Sequence, residues 1–498
     1  MAPGRVARDR GRSVDPAQRD RLRPDPHPAE DDDGVTLREL LEQHRGEELE
    51  LYARTINPQF VRLLRTIGFD RRWARAEGAY LYDADGTRYL DLLGGFGMYN
   101  VGRNNPRIRA ALIEALELET AGKVQLGVSP VTALLASALL ERAPSRLRRV
   151  LFTSSGTEAV EAALKLGRAA TGRSRVVSCE HGFHGLTLGS LSAAGDAAFR
   201  ARFGPLLPGF SHVPFDDLDA LEAALRGQDV AVFIVEPVQG HGPYFPSEGY
   251  LHGAQELCRR YGTLFCVDEV QTGFGRTGRM FGLDHWGLEP DLLAVAKSLS
   301  GGYVPVGALL MSTAVYDAVF DSLEHSVSHG STFAPNDLAM AAGLATLQEL
   351  DAQRLPERAA RMGELLLERT RPLVERYEIV KEVSGLGLIW AIEFQEPAGG
   401  GSRSWRLLER MQTGLFAQLI VVPLFSDHKI LTQVAGHDSN VIKILPPLVL
   451  SEEDVDWFVE ALDATLARAQ KLPRAMVRFA LKAARANRPR RGLFAKTA

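Results

Sequence analysis

The sequence predicts an α/β protein in which a large domain with a doubly wound, mostly parallel sheet precedes a smaller α+β domain. From about residue 107 onward, short apolar runs alternate with helical patterns, which is typical of such a sheet. After about residue 345, a long Arg- and Glu-rich helix and strand-like stretches replace that alternation. A third observation is that two apolar runs, 264–267 and 292–296, have the character of buried parallel strands and each end on a charged residue.

The charged residues at the ends of these two runs are Asp268 and Lys297. The carboxyl ends of parallel strands form the edge at which open α/β sheets bind ligands. An unpaired charge there carries a large desolvation cost, so each side chain needs a partner or a bound group. A simple ion pair between the two residues is the structural alternative. The chain has 9 lysines against 49 arginines, which favours a chemical role for a lysine at this position. Only lysine has an amine that can form a Schiff base.

Composition excludes several classes of protein. The chain has 498 residues, 45% apolar and 24% charged, as in an ordinary globular protein with more than one domain. A formal charge of −4 argues against nucleic acid as a main partner, because phosphate binding needs a basic surface. No apolar run is long enough to span a bilayer, and the basic start lacks the apolar core of a secretory signal. The cysteines, Cys179, Cys258 and Cys266, have no metal-ligand spacing, so we expect no metal site and a cytoplasmic location.

Before the alternating region, the sequence contains a tail, a helix, a hairpin and a glycine-rich loop. A capping box at Thr36 predicts a helix that Asn57-Pro58 ends. Residues 79–92 alternate in polarity around Asp85-Gly86, which predicts a hairpin. The stretch 94–106, which contains Phe96, permits close backbone approach and is a candidate lining of a ligand site.

The later elements follow the same reasoning. Strands of the large sheet are predicted at 149–154, 175–180, 212–215, 230–237, 263–270, 291–298 and 304–312. A helix at 350–377, strands near 381–394 and 440–450, a flexible loop at 396–404 and a helix at 452–468 complete the smaller domain. The predicted parts are a disordered tail (1–35), an N-terminal segment of the small domain (36–102), the large domain (103–348), the C-terminal small domain (349–470) and a basic tail (471–498).

The basic tail has an apolar stripe at helical spacing. Packing of this helix on the small domain is the favoured interpretation, and contact with an anionic membrane is the alternative.

A helix start after the first large-sheet strand is a candidate phosphate site. Residues 149–172 form a strand, then Ser155-Gly156-Thr157-Glu158, then an amphipathic helix. Ser155 and Glu158 fit a capping box, Gly156 leaves the first amides uncovered, and Thr157 adds a hydroxyl. Neither a Walker loop nor a GxGxxG fingerprint is present. A phosphate site, a strand-end carboxylate and a strand-end lysine together match pyridoxal phosphate (PLP), which needs all three.

These residues resemble the class III PLP-dependent aminotransferases of the ornithine and putrescine type. The resemblance covers about 50–465 and rests on SGTEAVEAALKLGRA, HGFHGLTLGSLS, VFIVEPVQG, CVDEVQTGFGRTG, AVAKSLSGGYVPVGA, HGSTFAPNDLAMAA, VSGLGLIWAIEF and IKILPPL. The loop LLGGFGMYNVGRNNP is most similar to the putrescine branch. The resemblance implies an aspartate-aminotransferase-like PLP fold and a homodimer that transfers an amino group from an amine donor to an oxo acceptor such as pyruvate or 2-oxoglutarate.

The family resemblance also implies the roles of individual residues. Lys297 would carry PLP as a Schiff base and move the proton, and Asp268 would pair with the pyridine nitrogen. The further cofactor contacts that the resemblance implies are Ser155, Gly156 and Thr157 at the phosphate, Phe183 and Val270 on the two ring faces, Gln271 and Glu236 near the ring hydroxyl, and Thr332 from the other subunit.

Departures from the family pattern concern the substrate. Relatives that use α-amino acids typically have Arg where this chain has Leu186, and relatives in general usually have Glu where it has His241 and Arg where it has Lys443. With Phe96, these residues form the predicted substrate pocket. Loss of a planar guanidinium at Leu186 removes a bidentate grip on an α-carboxylate. We therefore expect a primary amine, a diamine or another ω-amino compound as donor.

Several alternatives stay open at this level. The chain could aminate an aldehyde in specialised-metabolite biosynthesis. It could be a PLP decarboxylase, racemase or aminomutase on the same fold. It could also be a non-catalytic scaffold, which the presence of both Lys297 and Asp268 disfavours.

Overall fold

The computed structural model describes residues 35–470 except 123, 125–126, 399–401, 412–413 and 437–438. The predictions for the N-terminal tail, up to residue 34, and for the basic tail, 471–498, therefore lie outside the described residues. The chain divides into two compact units, 1–61 and 62–498, which are described separately. The domain boundaries that the sequence suggests inside the second unit stay a prediction.

The helices and strands are numbered in chain order over the described residues. The helices are α1 Leu37–Gln43, α2 Glu48–Thr55, α3 Pro58–Ile67, α4 Gly94–Gly97, α5 Pro106–Glu117, α6 Pro130–Arg142, α7 Gly156–Thr171, α8 Leu188–Ala193, α9 Ala197–Arg200, α10 Leu218–Leu225, α11 Tyr250–Tyr261, α12 Thr313–Val319, α13 Asp337–Ala352, α14 Leu355–Thr370, α15 Pro372–Arg376, α16 Ser402–Met411, α17 Leu415–Ser426 and α18 Glu452–Ala469. The strands are β1 Trp73–Glu77, β2 Tyr80–Asp83, β3 Arg88–Asp91, β4 Leu147–Thr153, β5 Arg175–Cys179, β6 Phe210–Val213, β7 Val230–Val235, β8 Leu264–Asp268, β9 Leu292–Val295, β10 Gly307–Ser312, β11 Val380–Leu386, β12 Ile389–Phe394, β13 Ile430–Leu431, β14 Gln433–Val434 and β15 Val441–Ile444. Two short 3₁₀ turns lie at Gly282–His285 and Lys297–Ser300.

The first unit is helical, but its predicted single helix is two helices. The capping box at Thr36 is present, with the Thr36 amide donating to the Glu39 carboxylate at 2.8 Å. The helix then ends before Gly46, whose φ of 95° is incompatible with a continuous α-helix. Asn57 accepts hydrogen bonds from the amides of Gln59 and Phe60, so Asn57-Pro58 begins α3 as well as ending the helical region before it.

A seven-stranded sheet forms the centre of the second unit, in the order β4-β10-β9-β8-β7-β5-β6. Strands β5 to β9 pair in parallel, and β10 pairs antiparallel with both β9 and β4. The predicted mostly parallel α/β sheet is therefore confirmed. Each of the seven predicted strands overlaps an observed strand.

Helices cover both faces of this sheet. One core cluster joins Val160 and Ala163 of α7 to Val232 and Ile234 of β7. The alternate residues of the same strand, Phe233 among them, belong to a second core cluster that contains residues of α11 and α13. Burial on both faces explains why β7 is apolar throughout instead of alternating between apolar and polar residues. It also leaves the carboxyl ends of the parallel strands as the place where polar side chains can meet.

Two four-stranded sheets lie outside the large sheet, in the orders β1-β2-β3-β13 and β11-β12-β15-β14. The predicted hairpin at 79–92 is formed by β2 and β3, with Gly86 in the turn at φ 81°. The predicted single helix at 350–377 is wrong, because α13 extends to Ala352 and α14 and α15 follow it. Pro356 and Pro372 lie in the first turns of α14 and α15, where proline starts a helix and prevents its continuation from the preceding one.

The predicted loop at 396–404 lies partly outside the described residues, and its end, from Ser402, begins α16. None of the helices in the described part of the chain combines the length and apolar character needed to cross a membrane.

Candidate active site

Loops after four strands of the large sheet meet around one cavity. Asp268 ends β8, Lys297 comes two residues after β9, Glu236 follows β7, and the segment 154–157 follows β4. The cavity has a volume of about 810 Å³. Of the predicted site residues, it brings together Ser155, Gly156, Thr157, Phe183, Glu236, Asp268, Val270, Gln271, Lys297, Phe96, Leu186, His241 and Lys443. Residues that are far apart in the chain are thus neighbours at one edge of the sheet.

The start of α7 forms the predicted anion site. Ser155 is the N-cap, and its hydroxyl accepts a hydrogen bond from the Glu158 amide at 3.3 Å. The Glu158 carboxylate accepts from the amide of Ser154, one residue before the position that a reciprocal capping box would use. The first N–H groups of a helix have no carbonyl partner within it, so those of Gly156 and Thr157 can bind an anion.

Glycine at position 156 is required by close packing. A Cβ atom there would lie 2.9 Å from Cγ1 of Val270. The helix start and Val270 therefore approach each other more closely than any other residue type at 156 allows. The Thr157 hydroxyl lies within hydrogen-bonding distance of the Thr187 and Ser190 hydroxyls, at 2.7 and 2.6 Å. These contacts fix its position beside the helix start.

Asp268 is held by two hydrogen bonds at the end of β8. Its Oδ1 accepts from the amide of Val270 at 3.0 Å, and its Oδ2 lies 2.8 Å from Nδ1 of His184. Both side chains are buried. Burial opposes a charge on His184, but the hydrogen bond and the negative charge of Asp268 outweigh it and raise the pKa of His184. His184 thus keeps the carboxylate in one orientation.

Lys297 begins the 3₁₀ turn that follows β9. Its φ of 41° is unusual for a residue with a side chain and is typical of strained functional positions. Burial lowers the pKa of its amine, against the opposing charges of Asp268 and Glu236. The structural alternative of a simple ion pair between Asp268 and Lys297 is not a contact of this structure: Asp268 is hydrogen-bonded to His184, and Lys297 has no hydrogen-bond partner among the described residues.

Glu236 lies beside these groups and is enclosed by protein. Its two oxygens accept hydrogen bonds from the amides of Phe183 and Gly240, each at 2.9 Å. Burial raises the pKa of this carboxyl group, and these hydrogen bonds and the charge of His184 counteract the effect. Glu236 therefore holds two loops of the cavity in place by hydrogen bonds, one that contains Phe183 and one that contains His241.

Aromatic and apolar side chains form the rest of the wall. The Phe199 ring contacts the rings of Phe183 and His241 edge-on, with 5.1 Å between centroids in each pair. Nδ1 of His241 lies 3.5 Å from the carboxylate of Asp196. Leu186 lines the cavity with 59% of its surface exposed, as expected for a side chain near an opening.

Phe96 and Lys443 occupy opposite environments in the predicted substrate pocket. Phe96 is exposed and has a φ of 60°, in a turn where Gly94 must be glycine because a Cβ would lie 2.3 Å from the Leu445 carbonyl oxygen. Lys443 is buried on β15, and its amine donates to the carbonyl of Gly240.

Thr332 is the predicted site residue that does not line this cavity. It is exposed, and its neighbour Ser331 has its hydroxyl 3.4 Å from that of Ser154 at the helix start. That Thr332 acts in another copy of the chain stays a prediction.

Sequence reasoning missed His184, Phe199 and Tyr303, which also line the cavity. A second histidine in HGFHG was a signal for His184, whereas nothing in the local pattern distinguishes Phe199 or Tyr303 from core residues.

A model of the family described as aminotransferase class-III matches residues 69–466. The chain belongs to the class III aminotransferases.

Three relatives illustrate how far the likeness to other class III aminotransferases extends. Aminotransferase PigE from Serratia sp. is 36% identical over 450 residues, which are 84% of this chain and 53% of that protein, so the chain spans about half its length. Putrescine aminotransferase from Pectobacterium atrosepticum is 38% identical over 422 residues, 82% of this chain and 86% of that protein. The crystal structure of an amine transaminase from an uncultivated Pseudomonas species, in a PLP-bound form, superimposes with a TM-score of 0.71 at 33% identity, covering 80% and 95% of the two chains.

Class III aminotransferases use PLP as cofactor, and the residues of this cavity fit it. Gly156 has no side chain to cover the neighbouring helix N–H groups, which can hold a phosphate. The buried amine of Lys297 opens into the same cavity as the carboxylate of Asp268. The predicted family, fold class, cofactor and enzyme class are thus confirmed, and the decarboxylase, racemase and aminomutase alternatives are not favoured.

Proposed function

We propose that this aminotransferase takes its amino group from a primary amine, a diamine or another ω-amino compound and passes it to an oxo acceptor such as pyruvate or 2-oxoglutarate. The observation that carries the proposal is the lining of the cavity. Its described residues include Lys297 and Asp268 but no arginine. The named activities of the putrescine aminotransferase and the amine transaminase support an amine donor here.

In this proposal each polar residue has one task. Amides at the start of α7 would hold the cofactor phosphate, Asp268 would pair with the pyridine nitrogen, and Gln271 and Glu236 would lie on the side of the ring hydroxyl. Phe183 and Val270 would cover the two faces of the ring, and Ser155 fixes the helix start. When bound, PLP supplies an electron sink for the carbon that loses a proton.

Lys297 moves the proton. Burial lowers the pKa of its amine and so favours the neutral form that accepts a proton. Nζ of Lys297 takes a proton from the donor carbon and later delivers it to the cofactor carbon on the other side of the transferred nitrogen. His184 holds Asp268 in place, and the carboxylate of Asp268 would keep the pyridine nitrogen of bound PLP protonated during this transfer. The apolar wall formed by Phe183 and Phe199 limits water near the reacting carbon.

Leu186 explains why an amine suits this cavity better than an α-amino acid. Its exposed side chain presents an apolar surface at a position where a guanidinium would bind a carboxylate. Carboxylates that do line the cavity, Glu236 and Asp268, already accept hydrogen bonds from protein groups. An uncharged or apolar substrate tail therefore costs less desolvation here than an α-carboxylate does.

Leu186→Arg is expected to raise kcat/KM for α-amino acid donors such as ornithine about tenfold relative to that for a primary amine, because one charge-assisted hydrogen bond is worth about 1.4 kcal/mol or more. Steady-state kinetics with both donors measure this ratio. Leu188→Arg is the matched control, because Leu188 is similarly exposed on the same segment and does not line the cavity. An unchanged ratio in Leu186→Arg contradicts the role proposed for Leu186.

A donor and acceptor panel tests the function as a whole. Diamines, long-chain amines, ornithine and alanine are combined with pyruvate and 2-oxoglutarate, and the amino acid formed from the acceptor is quantified together with the carbonyl product. Equal amounts of both products, largest with the amines, support the proposal. Loss of carbon dioxide without amino transfer, or preference for ornithine's α-amino group, rejects it.

We also propose that the chain acts as a homodimer in the cytoplasm. Support for the dimer comes from Thr332, which is exposed beside the helix start, and from exposed apolar residues of the same region such as Phe333. Light scattering of the holoenzyme tests it, and a monomer with full activity excludes a shared site. The proposed cytoplasmic location is supported by Cys179, Cys258 and Cys266, which are free and buried, because unpaired cysteines are typical of a reducing compartment.

A further inference from the structure

Lys443 is a buried cation inside the cavity rather than a side chain at its entrance. It lies on β15 between Ala391 of β12 and Gln433 of β14, and 4% of its surface is exposed. Its amine donates to the carbonyl of Gly240 and lies 3.5 Å from Oε1 of Gln271. Because it is enclosed in this way, its contacts are with protein groups on the wall of the cavity.

These contacts determine how the Gln271 amide is oriented. An ammonium group can only donate, so the atom of Gln271 that faces Lys443 is the acceptor Oε1. A backbone carbonyl can only accept, so the group that faces Phe96 is Nε2, at 3.4 Å from its oxygen. Both ends of the amide are thus assigned by chemistry. Nε2 carries two hydrogens, and the one that Phe96 does not take can donate to a bound molecule in the cavity.

Gly240 is held from both sides by groups of opposite charge. Its N–H donates to Glu236 at 2.9 Å, and its carbonyl accepts from Lys443. A Cβ at position 240 would lie 2.5 Å from Oε1 of Gln271, so this turn packs directly against the amide. Removal of Lys443 would release both the turn and the amide end that it holds.

We propose that Lys443 is a positioning residue that orients the Gln271 amide, so that its remaining N–H donates to the ring oxygen of bound PLP. This inference rests on the cofactor contact proposed for Gln271 above. An N–H donated to that oxygen stabilises its anionic form, and a nearby ammonium group adds to the effect. Lys443 therefore tunes the proton affinity of the cofactor without touching the substrate.

The charges around Lys443 are those of the cavity itself. Burial, and to a smaller extent the positive charge of Lys297, lower the pKa of Lys443 to about 8 against the opposing charge of Glu236. Asp268 and His241 line the same space. At neutral pH the Lys443 amine is mainly charged, whereas arginine at this position would stay charged at any pH used in an assay.

Titration of the visible absorption of the holoenzyme with pH, in the absence of substrate, tests the proposal. Lys443→Met is expected to move the midpoint upward by about one pH unit, a tenfold change in proton affinity, because the anionic oxygen loses an oriented donor and a nearby cation. Lys443→Arg keeps a charged donor and is expected to restore most of the wild-type midpoint. Lys381→Met is the matched control, since Lys381 is an exposed lysine on β11 of the same sheet.

A Gln271→Ala background separates positioning from a direct effect of charge. If Lys443 acts through Gln271, the shift caused by Lys443→Met falls to less than half its size in that background. Should Lys443→Met not fold, Lys443→Leu gives the same comparison. A wild-type midpoint that Lys443→Met or Lys443→Leu leaves unchanged overturns the proposal, as does an equal shift in the Gln271→Ala background. A wild-type holoenzyme with no visible cofactor absorption contradicts the cofactor roles proposed above instead.

Discussion

Lys297→Ala is expected to reduce turnover by a factor of about 10³ or more and to remove the visible absorption of the bound cofactor. Lys297 is the lysine that follows β9 with its amine in the cavity, and burial favours the neutral form that accepts a proton. The variant loses both the covalent attachment and the proton acceptor. Kinetics with the preferred amine, together with an absorption spectrum of the protein after incubation with PLP, measure the two effects.

The fold of the Lys297→Ala variant should survive, because alanine replaces a buried amine that has no hydrogen-bond partner among the described residues. Thermal unfolding checks this, and Lys381→Ala is a control that removes an exposed lysine. Added methylamine or another small primary amine is expected to restore part of the rate by entering the vacated space. A Lys297→Ala protein that turns over at the wild-type rate contradicts the assignment of the catalytic lysine.

The sequence predicts the site residues that local patterns identify, and it misses those identified only by contacts with distant parts of the chain. Asp268 and Lys297 are predictable as site residues because a charged residue at the end of a buried apolar strand needs a partner, and the edge of an α/β sheet where such strands end is where ligands bind. The start of α7 is predictable for a similar reason, since Ser155 and Gly156 are local signals. His184 acts through a contact with Asp268, 84 positions away, and no local pattern specifies such a pair.

In the fold, too, the positions of strands follow from local sequence, whereas their arrangement depends on contacts between distant parts of the chain. All seven large-sheet strands overlap strands predicted from the sequence, and β7 and β9 are continuous apolar runs, whereas the order of the strands across the sheet depends on which faces the helices cover. Helix ends set by Pro356 and Pro372 were missed, because helical periodicity continues across both positions and hides the interruptions. Lys443 illustrates the limit for function. Its place in the sequence predicts a residue of the substrate pocket, whereas its burial and its contact with Gln271 can be seen only in the structure.

Asp268→Asn is expected to retain the fold and phosphate binding while it loses about 10² to 10⁴ of the rate. Asparagine has nearly the same shape, and its oxygen can still accept from the amide of Val270. Its NH₂ group must then face Nδ1 of His184, which forces the histidine into the tautomer that accepts there. The hydrogen-bond pattern can therefore persist while the negative charge opposite the pyridine nitrogen is lost.

The pH dependence of stability separates loss of this charge from general damage. Asp268 raises the pKa of His184, so protonated His184 stabilises the folded state. That contribution is complete below the unfolded-state pKa of histidine and disappears as the pH rises through the raised pKa of the folded state. The difference in unfolding free energy between wild type and Asp268→Asn is therefore expected to shrink as the pH rises, and denaturant titrations at several pH values measure it.

Glu269→Gln is the matched control for Asp268→Asn, because Glu269 is the next residue and is equally buried but accepts its hydrogen bonds from Thr272, Gly282 and Leu283, away from the cavity lining. The NH₂ group of glutamine cannot accept from the Gly282 or Leu283 amide, so Glu269→Gln is expected to lower stability, but it is expected to leave most of the rate because Glu269 does not line the cavity. Equal rate losses in the two variants would mean that Asp268 supports only the local fold. A large loss in Asp268→Asn alone places the catalytic charge on Asp268, because burial and neighbouring backbone are common to both positions.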